Sequence, residues 1–134
     1  MTSFSWPVRV YYEDTDAGGI VYYANYLKFC ERARTEWLRH LGIEQDGFLA
    51  AGIGFVVRQV QLDMRAPARY NDLLTVTATP HKVGRASLSF AQEIYNQDDK
   101  LLCRAGVKVA CVELERMKPV AIPDPIAEVI NRGS

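Results

Sequence analysis

Residues 22–42 read YYANYLKFCERARTEWLRHLG, and the spacing of their large apolar side chains decides the architecture of everything around them. Tyr22, Tyr26, Phe29, Ala33, Trp37 and Leu41 recur at intervals of three and four, the repeat of one helix face. Lys28, Glu31, Arg32, Arg34, Glu36 and Arg39 fall on the other side, with Glu31 and Arg34 three apart, and read as a solvated face. Gly42 stands where a C-terminal stop belongs, and His40 in the last turn suits the negative end of the helix dipole. The pattern predicts a helix of about 18 residues with one buried and one wet face.

Working outward, the period changes to two. Upstream, Val8 to Tyr12 is a β-branched and aromatic run that predicts a short strand, closed by the polar, glycine-rich loop Glu13 to Gly19. Downstream, after a connecting segment from Glu44 to Gly54, alternation marks Val60, Leu62 and Met64, then Leu74, Val76 and Ala78 as far as Pro80, then Leu88, Phe90 and Ile94. The longest run, Leu101 to Cys111, predicts a central strand, and the turn before it, Asn96 to Lys100, holds Asn, Gln and two Asp. Pro119, Pro123 and Pro125 leave room for a short strand and a helical turn at Ile126 to Ile130. The order is one strand, one long helix, then four or five successive strands able to pair antiparallel. That predicts a two-layer α+β domain over residues 1–134, a sheet curled around one helix. Its exposed sheet edge predicts a dimer.

Composition narrows the function. Sixteen basic and sixteen acidic residues cancel, which removes the field that sequence-independent nucleic-acid binding needs. No apolar run is long enough to span a bilayer, and Met1 to Pro7 lacks the features of a secretory signal, so the cytoplasm is the expected compartment. Cys30, Cys103 and Cys111 have neither CxxC nor zinc spacing and fall at apolar or helical positions, so they read as buried thiols. With His40 and His81 the sole histidines, a histidine-rich metal site is excluded.

Residues 11–26, YYEDTDAGGIVYYANY, are the least explained by folding needs. Glu13, Asp14 and Asp16 crowd three carboxylates into four positions, which is unfavourable unless something local uses them. A solvated turn capped by one Asp accounts for them structurally. Gly18 and Gly19 ease that turn and also allow close approach of a ligand, and a helix start follows whose free N–H groups favour developing negative charge. A carboxylate beside such a helix start suits acyl transfer.

This segment resembles the signature loop of the 4-hydroxybenzoyl-CoA thioesterase family, in its Tol-Pal-associated acyl-CoA thioesterase (YbgC-like) branch. The similarity extends to Trp6-Pro7-Val8-Arg9-Val10, Glu31-Arg32-Ala33-Arg34-Thr35-Glu36, Ala66-Pro67-Ala68-Arg69 and Met117-Lys118-Pro119. The resemblance implies a hotdog fold, one long helix wrapped by a five- to six-stranded antiparallel sheet, and hydrolysis of an acyl-CoA thioester. It assigns Asp16, rather than Asp14, as nucleophile or general base, and the backbone N–H near Tyr23 as the group that polarises the carbonyl. Many members of the branch carry His where Tyr23 stands. Gly18, Gly19 and Tyr12 would touch substrate, although Tyr11 and Tyr12 otherwise read as strand residues packed in a core. Lys82, Arg85 and Ser87 match the place where relatives contact coenzyme A phosphates, with Arg85 the first choice; Arg58, Arg116 and Lys118 read as solvated charges. No cofactor is implied, coenzyme A being part of the substrate. The expected partners are acyl-CoA, with an acyl carrier protein as a second candidate, and further copies of the chain as a homodimer or dimer of dimers.

Two other classes compete. An Asp-x-Asp after a strand echoes the nucleophile of haloacid-dehalogenase phosphotransferases, but those need a parallel βαβ sheet and a hydroxyl residue where Gly18 stands. A non-catalytic module that binds acyl-CoA or acyl carrier protein at a membrane-linked assembly has no need of a carboxylate aimed at a carbonyl.

Overall fold

The computed structural model describes residues 3–132, and for Arg132 the backbone alone. Strand β1 (Phe4–Arg9) leads through a 3₁₀ turn (Tyr12–Asp14) to helix α1 (Tyr23–His40). There follow a short helix α2 (Asp46–Ala50), strands β2 (Ile53–Met64), β3 (Leu73–Val83), β4 (Ser87–Tyr95), β5 (Leu101–Glu113) and β6 (Lys118–Pro119), and helix α3 (Asp124–Arg132). The six strands form one sheet, ordered β1-β3-β4-β5-β2 with β6 on β5, and every pairing is antiparallel. This is the hotdog architecture, with α1 in the curl of the sheet.

Helix α1 has 18 residues. Gly42 ends it at φ +87°, a backbone state that costs glycine little. Tyr26, Phe29, Cys30, Ala33, Trp37 and Leu38 are buried, while Tyr22 is exposed and the stripe begins one turn later than its spacing suggests. Against them lie the inward residues Leu74, Val76 and Ala78 of β3, Leu88, Phe90 and Ile94 of β4, and Cys103, Val107 and Val109 of β5. Trp37 and Phe90 meet edge to face with centroids 5.3 Å apart. Burying a side chain such as Phe29 contributes about 1.5–3 kcal/mol, and this face is what holds the two layers together. The three thiols are buried in this core; burial pushes Cys30 up to about 12 and Cys103 up to about 11, and raises Cys111. Thiolate character is thereby suppressed.

Four further expectations change. β1 ends at Arg9, and Tyr11 and Tyr12 are exposed at the 3₁₀ turn rather than packed in a strand. The segment from Glu44 to Gly54 holds α2, too short to show a period, and β2 starts within it. Pro80 does not close β3: the ladder with β1 stops at Phe4–Ala78, and a register shift between Pro80 and Lys82 takes the strand past the missing N–H to Val83. Finally, β2 does not pair with its successor β3 but with β5, at the far side of the sheet.

That last change builds the site. Residues 65–72 must cross from one side of the sheet to the other, and they pass beneath the start of α1. Ala68 is fully buried; its carbonyl accepts from the Val21 N–H at 2.9 Å, and its own N–H donates to the Tyr26 hydroxyl at 3.2 Å. An isolated bridge joins Ile20 to Arg69.

Candidate active site

The loop before α1 is a miniature hairpin. A bridge pairs Thr15 with Val21, the Asp16 N–H donates to the Ile20 carbonyl at 2.9 Å, and the Gly19 N–H returns to the Asp16 carbonyl at 3.0 Å. Gly19 sits at φ +78°, the left-handed state such a turn requires. At Gly18 a β-carbon would come to 3.2 Å from Asp16 Oδ1, so any larger residue there would push the carboxylate aside by a few tenths of an ångström.

The two aspartates of this loop have opposite environments. Asp14 is buried, with Oδ2 accepting from the Tyr11 N–H at 2.8 Å and Oδ1 from the Asn25 amide at 2.9 Å. The Tyr22 N–H also donates to the Asp14 carbonyl, at 3.0 Å. Asp14 therefore ties the strand end to the helix start. Asp16 is exposed, and its Oδ1 accepts from the Gly18 N–H at 2.8 Å. Among the described residues no group donates to its Oδ2. The capped turn and a free carboxylate oxygen thus coexist in one residue.

Asp16 opens on a recess of about 500 Å³ lined by Tyr12, Thr15, Asp16, Ala17, Gly19 and Tyr70. Tyr12 is 82% exposed and meets the Tyr70 ring edge to face, with centroids 6.1 Å apart. Tyr70, itself exposed, escaped sequence reasoning; its one signal is an aromatic at the tip of the polar turn Arg69 to Asp72. That turn is fixed by the Arg69 N–H donating to Asp72 Oδ2 at 2.9 Å. Tyr23 is the first residue of α1, its ring against Tyr22 at 5.0 Å. Among the described residues nothing accepts from its backbone N–H, as expected in the first turn of a helix.

Residues 10–130 match the thioesterase-like superfamily. The chain belongs to that family. It is 49% identical over 125 residues to the acyl-CoA thioester hydrolase YbgC of Escherichia coli O157:H7, covering 93% of each chain. It is 48% identical over 124 residues to the acyl-CoA thioesterase YbgC of Haemophilus influenzae, covering 92% of this chain and 90% of that one. This places it in the YbgC-like branch. The Synechocystis 1,4-dihydroxy-2-naphthoyl-CoA thioesterase Slr0204 superposes with a TM-score of 0.90 at 26% identity, covering 97% of this chain and 96% of that one.

For a protein of this family the remaining candidates lie in an unexpected place. Lys82 is the penultimate residue of β3, Ser87 begins β4, and Arg85 stands exposed in the turn between them. Asp16 adjoins the other end of β3, where Val10 N–H bonds the Asp72 carbonyl. At about 3.3 Å per residue the two ends of β3 are roughly 33 Å apart. One protomer therefore brings together Asp16, Gly19 and Tyr12 at the recess, with Gly18 bonded to Asp16 and Tyr23 seven residues on at the start of α1, but not Lys82, Arg85 and Ser87. Among the described residues no three His, Cys, Asp or Glu side chains cluster as metal ligands, and no helix is long and apolar enough to cross a membrane. The wholly antiparallel sheet also contradicts the haloacid-dehalogenase reading, which needs parallel strands.

Proposed function

We propose that this thioesterase-like protein hydrolyses an acyl-CoA thioester to the free acid and CoA, with Asp16 as nucleophile or general base. The observation that carries the reading is one exposed carboxylate oxygen, free of hydrogen bonds, on the hairpin that leads directly into a helix whose first N–H is also free. As attack on the thioester carbonyl builds negative charge on its oxygen, the Tyr23 N–H and the positive end of α1 stabilise it. One such donor is typically worth about 2.7–4 kcal/mol in the transition state. Because the donor is backbone, it does not depend on the side chain at position 23. The attack either adds a water whose proton passes to Asp16, the tetrahedral adduct then expelling the CoA thiolate, which takes up a proton, or joins Asp16 to the acyl group and expels the CoA thiolate, with water then cleaving the anhydride. The names of the YbgC relatives support acyl-CoA as the substrate class. We expect thiol release from acyl-CoAs across a panel of chain lengths and a benzoyl type, undiminished by EDTA. No release from any of them would overturn the reading.

The distance between Asp16 and Arg85 bears on assembly. β2 is an outer strand of 12 residues with β5 as its sole described neighbour, and Val57, Val60 and Met64 on it are exposed. A long unpaired edge of this kind, with exposed apolar side chains along it, is a template for pairing. In this proposal two protomers join through β2, and the partner's Arg85, with the partner's Lys82 and the partner's Ser87, meets the phosphates of a CoA held at Asp16. Guanidinium and ammonium groups suit those phosphates. Hybrid dimers of Asp16→Asn with Arg85→Ala test it. Each hybrid keeps one intact pairing of Asp16 with Arg85, so one site in two should show wild-type KM, whereas the Arg85→Ala homodimer should show a raised KM throughout. Hybrids with a uniformly raised KM would place Arg85 and Asp16 in the same protomer's site.

A further inference from the structure

Asp16 and the Tyr23 N–H ride on two pieces, the hairpin of residues 15–21 and helix α1, and attack on a thioester needs both at one carbonyl. On one side the pieces are tied through Asp14, whose carboxylate accepts from the Asn25 amide and whose carbonyl accepts from the Tyr22 N–H. On the other side the tie is indirect. The Tyr26 hydroxyl, one turn into α1, accepts from the Ala68 N–H at 3.2 Å, and the Ala68 carbonyl accepts from the Val21 N–H at 2.9 Å. The bridges of Ile20 to Arg69 and of Thr15 to Val21 carry the link across to Asp16, whose N–H donates to the Ile20 carbonyl at 2.9 Å.

Among the described residues the bond from Ala68 to Tyr26 is the only hydrogen bond between α1 and the crossover at 65–72. Tyr26 is 3% exposed and Ala68 0%, so water does not substitute for either partner. The Tyr26 ring is itself fixed, edge to face against Phe29 with centroids 6.4 Å apart. Burial pushes its hydroxyl above the ordinary phenol value, so the oxygen stays a neutral acceptor across the neutral range. The buried Val21 side chain holds the hairpin down, but apolar packing is non-directional and does not set the hairpin's angle.

We propose that Tyr26 is a positioning residue: its hydroxyl, through Ala68, sets the angle at which the hairpin presents Asp16 to a thioester held at the start of α1. The proposal rests on the proposed function for the identity of the reacting carboxylate, though not for the link. With Asp14 as its one anchor the hairpin would pivot; Ala68 is the second anchor that stops it. Removing the hydroxyl strands the Ala68 N–H, which then finds another acceptor only by moving the crossover. A misplacement of about 1 Å at the reacting groups can cost about 100-fold in rate. The groups that would bind substrate are held separately, Tyr70 by the turn that Asp72 fixes and Arg85 at the far end of β3.

Tyr26→Phe keeps the ring and tests the hydroxyl alone. We expect kcat for thiol release to fall about 10- to 100-fold with KM within about twofold of wild type, since the loss falls on the transition state. In an Asp16→Asn background the same substitution should cost nothing further, because Tyr26 acts through Asp16. Tyr95→Phe, which removes a hydroxyl bond to Glu93 on the sheet, should leave kcat unchanged. Backbone amide exchange followed by NMR reads the link without turnover. In Tyr26→Phe the Val21 amide should exchange at least about tenfold faster, whereas the Val10 amide, bonded to Asp72 at the other end of the crossover, should keep its rate. A wild-type kcat in Tyr26→Phe, losses that multiply with Asp16→Asn, an equal loss in Tyr95→Phe, or acceleration at Val10 as great as at Val21 overturns this inference alone. No thiol release from the wild type, with Val21 exchange accelerated in Tyr26→Phe, would instead sink the thioesterase reading alone.

Discussion

Replacing Asp16 by Asn should lower thioester hydrolysis roughly 10³- to 10⁴-fold while leaving the folded protein as stable as before, within about 0.5 kcal/mol. The asymmetry follows from how the residue is held. Oδ1 accepts from the Gly18 N–H, and an Asn carbonyl can keep that bond and the turn with it. Oδ2 has no protein donor and the residue is exposed, so an amide NH₂ in its place meets water rather than a buried neighbour. What the amide cannot do is attack a carbonyl or take a proton from water. Thiol-release kinetics, read with a thermal melt and light scattering, check both halves. Turnover near that of the wild type would sink the assignment of Asp16.

Asp14, two residues earlier, should behave in the opposite way. Asp14→Ala removes the acceptor for the Tyr11 N–H and for the Asn25 amide, both of which donate to the carboxylate across the join between β1 and α1. Asp14 and Asn25 are 7% and 8% exposed, so water replaces the lost bonds poorly. Hydrogen bonds to a charged group are worth about 1.5–3 kcal/mol each, and stranding a buried donor adds its desolvation cost. Allowing for coupling between the two, a loss of about 3 kcal/mol is expected, a large fraction of the stability of an ordinary domain. Activity should fall as well, because the hairpin that carries Asp16 hangs from this anchor. Denaturant unfolding of Asp14→Ala, Asn25→Ala and the double variant measures it. A double variant no less stable than Asp14→Ala alone gives the coupling expected, whereas additive losses would show that the two side chains do not act as a unit.

The same contrast separates what could be read along the chain from what could not. Helix α1 was legible because its signal is local: four consecutive turns repeat an apolar face, and Gly42 supplies the left-handed stop. The strands were legible for the same reason, down to the period-two run of β5. Pairing was not, since alternation says which face of a strand is buried and nothing about its neighbour. That β2 lies against β5 rather than β3 depends on chain closure over about forty residues.

Arg34 marks the limit within a legible element. It falls four residues after buried Cys30 and three before buried Trp37, at the border of the apolar stripe, and its charge alone suggested water. Its actual direction is set by Gln92, 58 residues further on.

For the site, the sequence by itself determined the ingredients that lie next to each other: the carboxylates, the two glycines and the helix start between Asp14 and Tyr23. Their resemblance to a known loop singled out Asp16. Only the tertiary structure decided that Asp14 is bound on both oxygens while Asp16 keeps one free, that the crossover from β2 to β3 brings Tyr70 to the recess, and that Lys82, Arg85 and Ser87 stand at the far end of β3. The physical reason is that a residue type fixes which hydrogen bonds a group can make, whereas burial and the approach of distant segments fix which ones it does make.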